Sequence, residues 1–595
     1  MRSAPPAWLP ALAVSFLAPA AVLVAADAPP ATAAPFVVSI QIDAAKPVGE
    51  MKPFWRFFGA DEPNYATMKD GHKLLAELGE LRPKDSAQPT YFRAHNLLTS
   101  GDGTPAPKWG STNAYTEDAQ GRPIYSWTIL DNIFDTYLAR GVRPYAEIGF
   151  MPEALSTKPA PYQHEFRPGL NAELYTGWAY PPKDYEKWGE LVYQWAKHCV
   201  ERYGKAEVEK WYWEVWNEAN IGYWKGTPEE FYKLHDYAIA AVRRALPTAR
   251  VGGMDSAGTG GTFMTGFIEH ALRGTNYATG QKGTPLDFIS FHAKGAPSFV
   301  DGHVRMGIAN QLRDINNVFT IVASHPELKN TPIVFGESDP DTCAACTARV
   351  SPQNNYRNGS LFASYSAATF GRELAMADRA GVNLEGVTSW AFEFEDQAYF
   401  DGFRVLATNG IDLPVLNTFK MFSKMSGQRV AVTSTGEVPL DAILSGGGGG
   451  ARGGARGARG AAGAAGGVRD KPDVTALASL DAHKLAVLVW HYHDDDVPGP
   501  AADVSLALAG LPAAANGNVR LAHWRIDDEH SNAFTAWKKM GSPAGPNASQ
   551  YRQLVAAGQL GTMAETPAAV VVTGGAATLE FVLPRQGVSL LVLEW

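Results

Sequence analysis

Trp211-Tyr-Trp-Glu-Val-Trp-Asn-Glu-Ala-Asn220 is the stretch whose reading decides the fold. It opens as an aromatic and β-branched run, the composition of a buried strand. It closes on Asn217-Glu218, so the strand delivers an amide and a carboxylate at its C-terminal tip. Thr331-Pro-Ile-Val-Phe-Gly-Glu337 repeats the plan with a second carboxylate. Reacting groups at the tips of buried strands are the layout of a β/α barrel. Two carboxylates on two tips of one barrel are the minimum equipment for breaking a glycosidic bond.

Eight short apolar runs recur along the chain, at 54–59, 90–95, 142–148, 211–216, 250–254, 286–292, 331–336 and 386–392. Amphipathic patterns such as 184–203 and 228–246 lie between them. Strands alternating with helices imply parallel pairing and right-handed crossovers. Eight such units over about 370 residues predict an α/β fold, a (β/α)8 TIM barrel with long strand-to-helix loops. An open doubly wound sheet would want a Gly-rich phosphate loop after its first strand, and the sequence has none there.

The strand tips are polar. The first run is followed by Asp61-Glu62-Pro63-Asn64, and the second contains Arg93 and ends His95-Asn96. The third carries Glu147, Phe150 and Glu153, the sixth His292 and Lys294, and the eighth Trp390 before Glu393, Glu395 and Asp396. A lone His or Glu after a strand is more often a loop residue than a catalyst. Convergence of polar groups from at least six strands on one face predicts a catalytic cleft.

Composition bounds the rest. The chain has 595 residues, room for two or three domains. Its net charge of −9 and lack of a basic stripe argue against a nucleic-acid partner. Arg2 precedes an apolar run at 8–26 that ends in small residues before Asp27, the pattern of a secretory signal peptide cleaved near Ala26. The alternative is an uncleaved anchor, against which Pro10, Pro19 and the small-residue end argue. No other segment has 18 uninterrupted apolar residues, so no membrane span is expected in the mature chain, which would be secreted or periplasmic. Cys343-Ala-Ala-Cys346 follows the second carboxylate strand. It lacks the second ligand pair of a zinc site, leaving a local disulfide or two free thiols. The 14 His show no ligand spacing, so neither metal nor cofactor is expected.

Several stretches together resemble glycoside hydrolase family 39. They are Phe92-Arg-Ala-His-Asn-Leu-Leu98, the run from Gly141 to Leu155, Trp216-Asn-Glu-Ala-Asn220, Asp287-Phe-Ile-Ser-Phe-His292 and Gly336-Glu-Ser-Asp-Pro340. Phe400-Asp-Gly-Phe-Arg404 and the run from Asn409 to Asn417 complete the set, which spans most of 54–426. The family consists of retaining (β/α)8 glycosidases, best known as β-xylosidases and α-L-iduronidases. The resemblance implies Glu218 as acid/base and Glu337 as nucleophile. The substrate-binding candidates are Asn217, His95, His292, Lys294, Trp390, Phe150, Glu395 and Arg404.

The chemistry asks different things of the two carboxylates. Glu337 must be ionised, so donors such as His292 and Arg93 should hold its pKa down. Glu218 must be protonated at rest, which a drier setting near Trp216 would favour. Asn217 is placed for the sugar 2-hydroxyl.

Lys294 stands where family xylosidases usually carry Tyr, and Arg404 where they carry Gly-Phe-Gly. The iduronidase branch resembles this chain at the first position, where its Lys helps to bind a substrate carboxylate. Two cations at one pocket suit a uronic acid. Alternatively they pair with Asp339, Glu395 or Asp396 and never meet substrate. The expected function is thus a secreted, exo-acting, β-xylosidase-like hydrolase of an oligosaccharide or polysaccharide. The alternatives are a uronide-directed glycosidase and a non-catalytic carbohydrate-binding barrel.

Beyond 426 the character changes to short alternating runs separated by turns, predicting a β-sandwich at 427–595 that the early strand at 36–42 joins. The expected division is therefore 1–26 signal peptide, 27–53 leader and joining strand, 54–426 barrel and 427–595 sandwich. A Gly/Ala/Arg-rich segment at 446–467, with Arg452, Arg456 and Arg459, cannot bury a core and reads as a disordered loop. The segment 537–561 reads as helical and able to reach the barrel mouth. A sandwich beside a barrel would also allow a homo-oligomer.

Overall fold

The structure is a computed structural model that describes residues 34–82, 88–168, 173–445 and 466–595. The signal peptide, Arg452, Arg456, Arg459 and all but the last two residues of the 446–467 loop lie outside the described residues.

Eight parallel strands form the barrel: β1 (Phe57–Ala60), β2 (Thr90–Ala94), β3 (Val142–Ile148), β4 (Tyr212–Val215), β5 (Arg250–Gly252), β6 (Ile289–Lys294), β7 (Pro332–Asp339) and β8 (Asn383–Ser389). Each pairs with the next, and β8 pairs with β1. β5 and β6 meet through the single bridges Gly252–Phe288 and Ser256–Phe291. The His292 N–H, donating to the Ser256 carbonyl at 2.8 Å, reinforces that closure.

The period of two along each strand stacks the barrel interior in layers. Phe57, Tyr91, Tyr145, Tyr212, Phe288 and Val334 form a buried cluster at the N-terminal end. Rings of Phe57, Tyr91 and Tyr212 lie 4.9–5.7 Å apart, a dry plug under everything above. Two residues further along, the same faces carry Gly59, Arg93, Glu147, Glu214 and Ser290. The charged layer therefore sits directly on the apolar one, with the strand tips above it.

Outside the barrel, the helix Tyr185–Tyr203 starts on Asp184, whose carboxylate accepts from the N–H groups of Glu186 and Lys187. Pro228–Ala245 starts with a capping box between Thr227 and Glu230. Both were legible as amphipathic patterns, and these caps set their first turns.

Nine further strands make one mostly antiparallel sheet with its own apolar core, which includes Val38, Ile40, Val487, Leu506 and Leu593, and three two-stranded pairs complete the strands of the described residues. The strand Phe36–Glu50 lies inside this sheet, antiparallel to Gln428–Ser434 and parallel to Ala502–Ala509. The sheet is fastened to the barrel by Arg372, which pairs with Asp473 at 2.7 Å. Helices Ala533–Lys539 and Ala548–Gly558 leave the sheet and reach the loop after β8. There Phe534 and Trp537 pack on Phe400 at 5.7 and 5.2 Å, and the Tyr551 hydroxyl donates to the Asn409 carbonyl at 2.9 Å. Among the described residues no helix is long and apolar enough to cross a membrane.

Candidate active site

The tip of β4 is bent out of regular geometry. Trp216 and Glu218 have φ of 70° and 44°, a left-handed region that costs non-glycine residues roughly 1–3 kcal/mol each. Two backbone bonds hold the bend: Trp216 N–H to the Ile148 carbonyl at 3.2 Å, and Glu218 N–H to the Asp255 carbonyl at 2.8 Å. The bend turns successive side chains, Asn217 and Glu218, into one space. The Asn217 carbonyl oxygen accepts from Arg93 Nη2 at 3.2 Å, while its Nδ2 is buried with no protein partner. A buried donor left open at a strand tip is a group available to a ligand.

β7 reaches the same space. A register irregularity between Phe335 and Glu337 sets Glu337 opposite His292 of β6. Gly336 makes this possible, because a Cβ there would overlap the Asp255 carboxylate. Gly336→Ala should therefore push Glu337 out of place. A shift of about 1 Å costs on the order of 100-fold in rate; kcat/KM of the variant checks it, with circular dichroism confirming that the fold persists.

Glu337 Oε1 lies 3.3 Å from His95 Nε2 and 3.7 Å from Arg93 Nη1, and its Oε2 lies 2.9 Å from Lys294 Nζ and 3.7 Å from His292 Nδ1. Burial alone pushes this carboxyl up, but His292, Lys294 and His95 outweigh burial and hold it well below the ordinary range. The expected donors His292 and Arg93 are thus both present, and Lys294 and His95 join them. Burial disfavours a charged His95, yet Glu147, Asp61 and Glu337 push it up to about 9.

Glu218 is buried, at 2% exposure, as a dry setting requires. Its Oε1 lies 3.0 Å from His292 Nδ1, so a titratable ring, not aromatic wall alone, meets this carboxyl. His292 Nε2 lies 2.6 Å from Asp255 Oδ2. Burial lowers the affinity of His292 for a proton, but Asp255 and Glu337 more than reverse this and push it up to about 10.

Arg93 is the hub beneath. It is fully buried and contacts Glu214 at 2.6 Å, Glu147 at 2.7 Å, Asp255 and Glu337. The Tyr145 hydroxyl donates to Glu214 at 2.8 Å, and Ser290 donates to the same carboxylate. Burial pushes Glu147 up to about 8, against His95 and Arg93. Asp255 and Glu214 were missed from the sequence. Glu214 stands mid-strand among aromatics, as Arg93 does, and a charge inside an apolar run was the available signal. Asp255 follows a strand of only three residues, and its place just after the run at 250–254 was the one signal that could have found it.

Lys294 and Arg404 reach the site already paired. Lys294 Nζ lies 2.6 Å from Asp339 as well as 2.9 Å from Glu337. Arg404 spans Asp61 at 2.8 Å and Asp341 at 2.9 Å. Asp341 belongs to the loop closed by the bonded pair Cys343–Cys346. Buried Arg357 donates to the carbonyls of Cys343 at 3.0 Å and Gly402 at 3.2 Å, tying that loop to the one bearing Arg404. Glu395 does not join the site. Its carboxylate accepts from the Asp70 N–H at 2.9 Å, in the first turn of the helix Lys69–Gly79, where the helix N-terminus favours an anion.

Trp390 is fully buried, its ring 4.6 Å from His95 and 5.0 Å from the Arg93 guanidinium. Phe150 packs 4.5 Å from Trp178 and 5.6 Å from His95. With Asp61, His95, Tyr223 and Trp178 it lines a recess of about 20 Å³. Asp61, His95 and Glu337 are close enough to hold a metal. Lys108 and Arg404 already neutralise Asp61, and Lys294 and Arg93 face Glu337, so this trio fits a cation poorly.

The sequence of residues 38–577 matches the glycosyl hydrolases family 39 profile. The chain belongs to this family. A β-xylosidase from Caldicellulosiruptor saccharolyticus is 24% identical over 546 residues, covering 88% of this chain and 92% of that protein. An α-L-iduronidase from Mus musculus is also 24% identical, over 561 residues, covering 87% of this chain and 75% of that protein. The crystal structure of a monomeric β-xylosidase from Caulobacter crescentus CB15 superposes with a TM-score of 0.69 at 22% identity, covering 93% of this chain and 99% of that one. As a family 39 glycoside hydrolase, the protein takes a carbohydrate substrate. The family's two named activities share this barrel, so the fold does not choose between them.

Proposed function

We propose that the protein is a secreted or periplasmic, exo-acting, retaining glycosidase of β-xylosidase type, with Glu337 as nucleophile and Glu218 as acid/base. One observation carries the reading. His292 Nδ1 lies 3.0 Å from Glu218 Oε1 and 3.7 Å from Glu337 Oε2. The two oxygens are therefore no further apart than those distances laid end to end. That ceiling covers the separation of about 5–5.5 Å used in double displacement and only the bottom of the roughly 6.5–9.5 Å used in inversion. Glu337, held ionised by His292, Lys294 and His95, attacks the anomeric carbon while Glu218 protonates the departing oxygen. Glu218 then takes a proton from water, which releases the sugar from Glu337. Arg93 orients Asn217, whose open Nδ2 is offered to the 2-hydroxyl. The apolar run at 8–26 supports export.

The test uses Glu218→Ala with an aryl glycoside and azide. Recovery of activity with formation of a β-glycosyl azide supports both roles, because azide attacks the glycosyl-enzyme once no charged base repels it. An inverted azide, or no leaving-group dependence, excludes the assignment.

A uronide remains the second reading, favoured by Lys294 and Arg404 at the tips of the site. A neutral sugar fits better, because Lys294 already faces three carboxylates and Arg404 two. A panel of aryl β-xyloside, α-L-arabinopyranoside, β-glucoside, β-glucuronide and α-L-iduronide separates the two. Turnover of the xyloside alone leaves Lys294 and Arg404 as parts of the charge network. Turnover of a uronide alone makes them the specificity determinants.

A further inference from the structure

Asp255 lies outside the pair of reacting carboxylates, yet it is bound to one of them twice. Its carbonyl accepts directly from the Glu218 N–H at 2.8 Å. Its carboxylate reaches the Glu218 carboxyl through His292, at 2.6 Å on Nε2 and 3.0 Å on Nδ1. Asp255 and His292 are fully buried and Glu218 is 2% exposed, so no bulk water competes along this path. A ring with a carboxylate on each nitrogen can pass its proton at Nδ1 to one side only while Nε2–H stays bound on the other.

We propose that Asp255, His292 and Glu218 form a proton-holding chain, in which Asp255 is a positioning residue and the proton delivered to the leaving group is one shared between Glu218 and His292 Nδ1. This rests on the reading of Glu218 as acid/base and explains how that acid stays loaded in a site crowded with cations. When the glycosidic bond breaks, the shared proton moves to the departing oxygen. In the second step the water attacking the sugar returns one to the same pair, so protons balance over the cycle.

The groups around His292 oppose one another. Asp255 from the end of β5, Glu218 from β4 and Glu337 from β7, the last at 3.7 Å, all favour a proton on the pair. Arg93 from β2 contacts Asp255, and Lys294 from β6 contacts Glu337, and both weaken that preference. Asp255 has the shortest contact to the ring and is opposed mainly by Arg93. Removing its charge therefore lets the pair lose its proton at lower pH.

The experiment compares Asp255→Asn with wild type across pH, using two aryl glycosides of the sugar that the panel identifies. One has a poor leaving group that needs the acid, and the other is a dinitrophenyl glycoside that does not. For the poor leaving group the basic limb of kcat/KM should move acidward by about one pH unit or more, with at least a tenfold loss at neutral pH. For the dinitrophenyl glycoside the loss should stay within about threefold. Equal losses on both substrates with an unmoved basic limb would make Asp255 merely structural and overturn the proposal. His292→Gln keeps a hydrogen bond to Glu218 but cannot carry a proton. It should show the same leaving-group split, which keeps the test alive if Asp255→Asn folds poorly. Glu218→Ala runs alongside. If it lacks the leaving-group split, the acid/base assignment fails. If it shows the split while Asp255→Asn and His292→Gln do not, only the chain fails.

Discussion

The Glu337→Ala variant is expected to turn over an aryl glycoside about 10^4- to 10^6-fold more slowly than wild type, the scale on which loss of a covalent nucleophile acts. The reason lies in what surrounds the carboxylate. His95, Arg93, His292 and Lys294 are all aimed at Glu337. They make a preorganised positive socket that is worth most when a carboxylate sits in it. Alanine leaves the socket without its anion, and no neighbouring side chain is placed to replace the nucleophile. Substrate contacts through Asn217 survive, so binding measured by calorimetry on an unreactive substrate analogue should change far less than kcat. External formate or azide should restore part of the rate by entering the vacated space. Residual activity above a tenth of wild type, with the fold intact, would remove Glu337 from the mechanism.

Arg93→Met should lower the free energy of unfolding by about 3–5 kcal/mol, measured by urea denaturation followed by tryptophan fluorescence. The guanidinium is fully buried, and its partners Glu214, Glu147 and Asp255 are buried with it. Methionine matches its bulk but leaves those carboxylates without their cation. They must then take up protons or admit water, and either response disturbs the layer on which the strand tips stand. Arg93→Lys should recover only a minor part, because one ammonium cannot supply the fork that meets Glu214 through Nε and Glu147 and Asp255 through Nη2. A loss below about 1 kcal/mol for Arg93→Met would show that the cluster is already largely protonated around a dispensable cation.

The barrel was legible because its strands are local events. Each apolar run is read without knowing its neighbours, and a carboxylate that ends one, as Glu218 and Glu337 do, marks a tip. The accessory strands were legible for the same reason. Contacts between loops were not. Lys294 on Asp339 is one of the pairings that the sequence allows, and it forms at 2.6 Å, whereas the partners of Arg404, Asp61 and Asp341, arrive from the loops after β1 and β7 and were not legible. Glu395 looked like a pocket residue because it follows β8, whereas it serves a helix more than 300 positions earlier in the chain. Asp255 directly follows the run at 250–254, but β5 itself is only Arg250–Gly252, and nothing in so short a run marks the next residue as part of the site. The dry setting expected for Glu218 was a statement about solvent, and it missed that a histidine bridging two carboxylates can store the same proton.

The placement of Phe36–Glu50 inside the accessory sheet has a consequence for how the molecule is made. This strand is synthesised before any of the barrel, and both strands that flank it come after all of it. Ser39 and Thr435, which hydrogen-bond in the finished sheet, are 396 positions apart. At about 5–20 residues per second, the strand waits roughly 20 to 80 seconds for its first partner. Throughout that time its alternating apolar face and both hydrogen-bonding edges are available to other nascent chains. The barrel can complete itself in the interval, since all eight of its strands lie within the waiting stretch. Capture of this early-made strand thus follows synthesis of the whole barrel, and the accessory sheet closes around it only as the strands from Gln428 to Glu594 emerge.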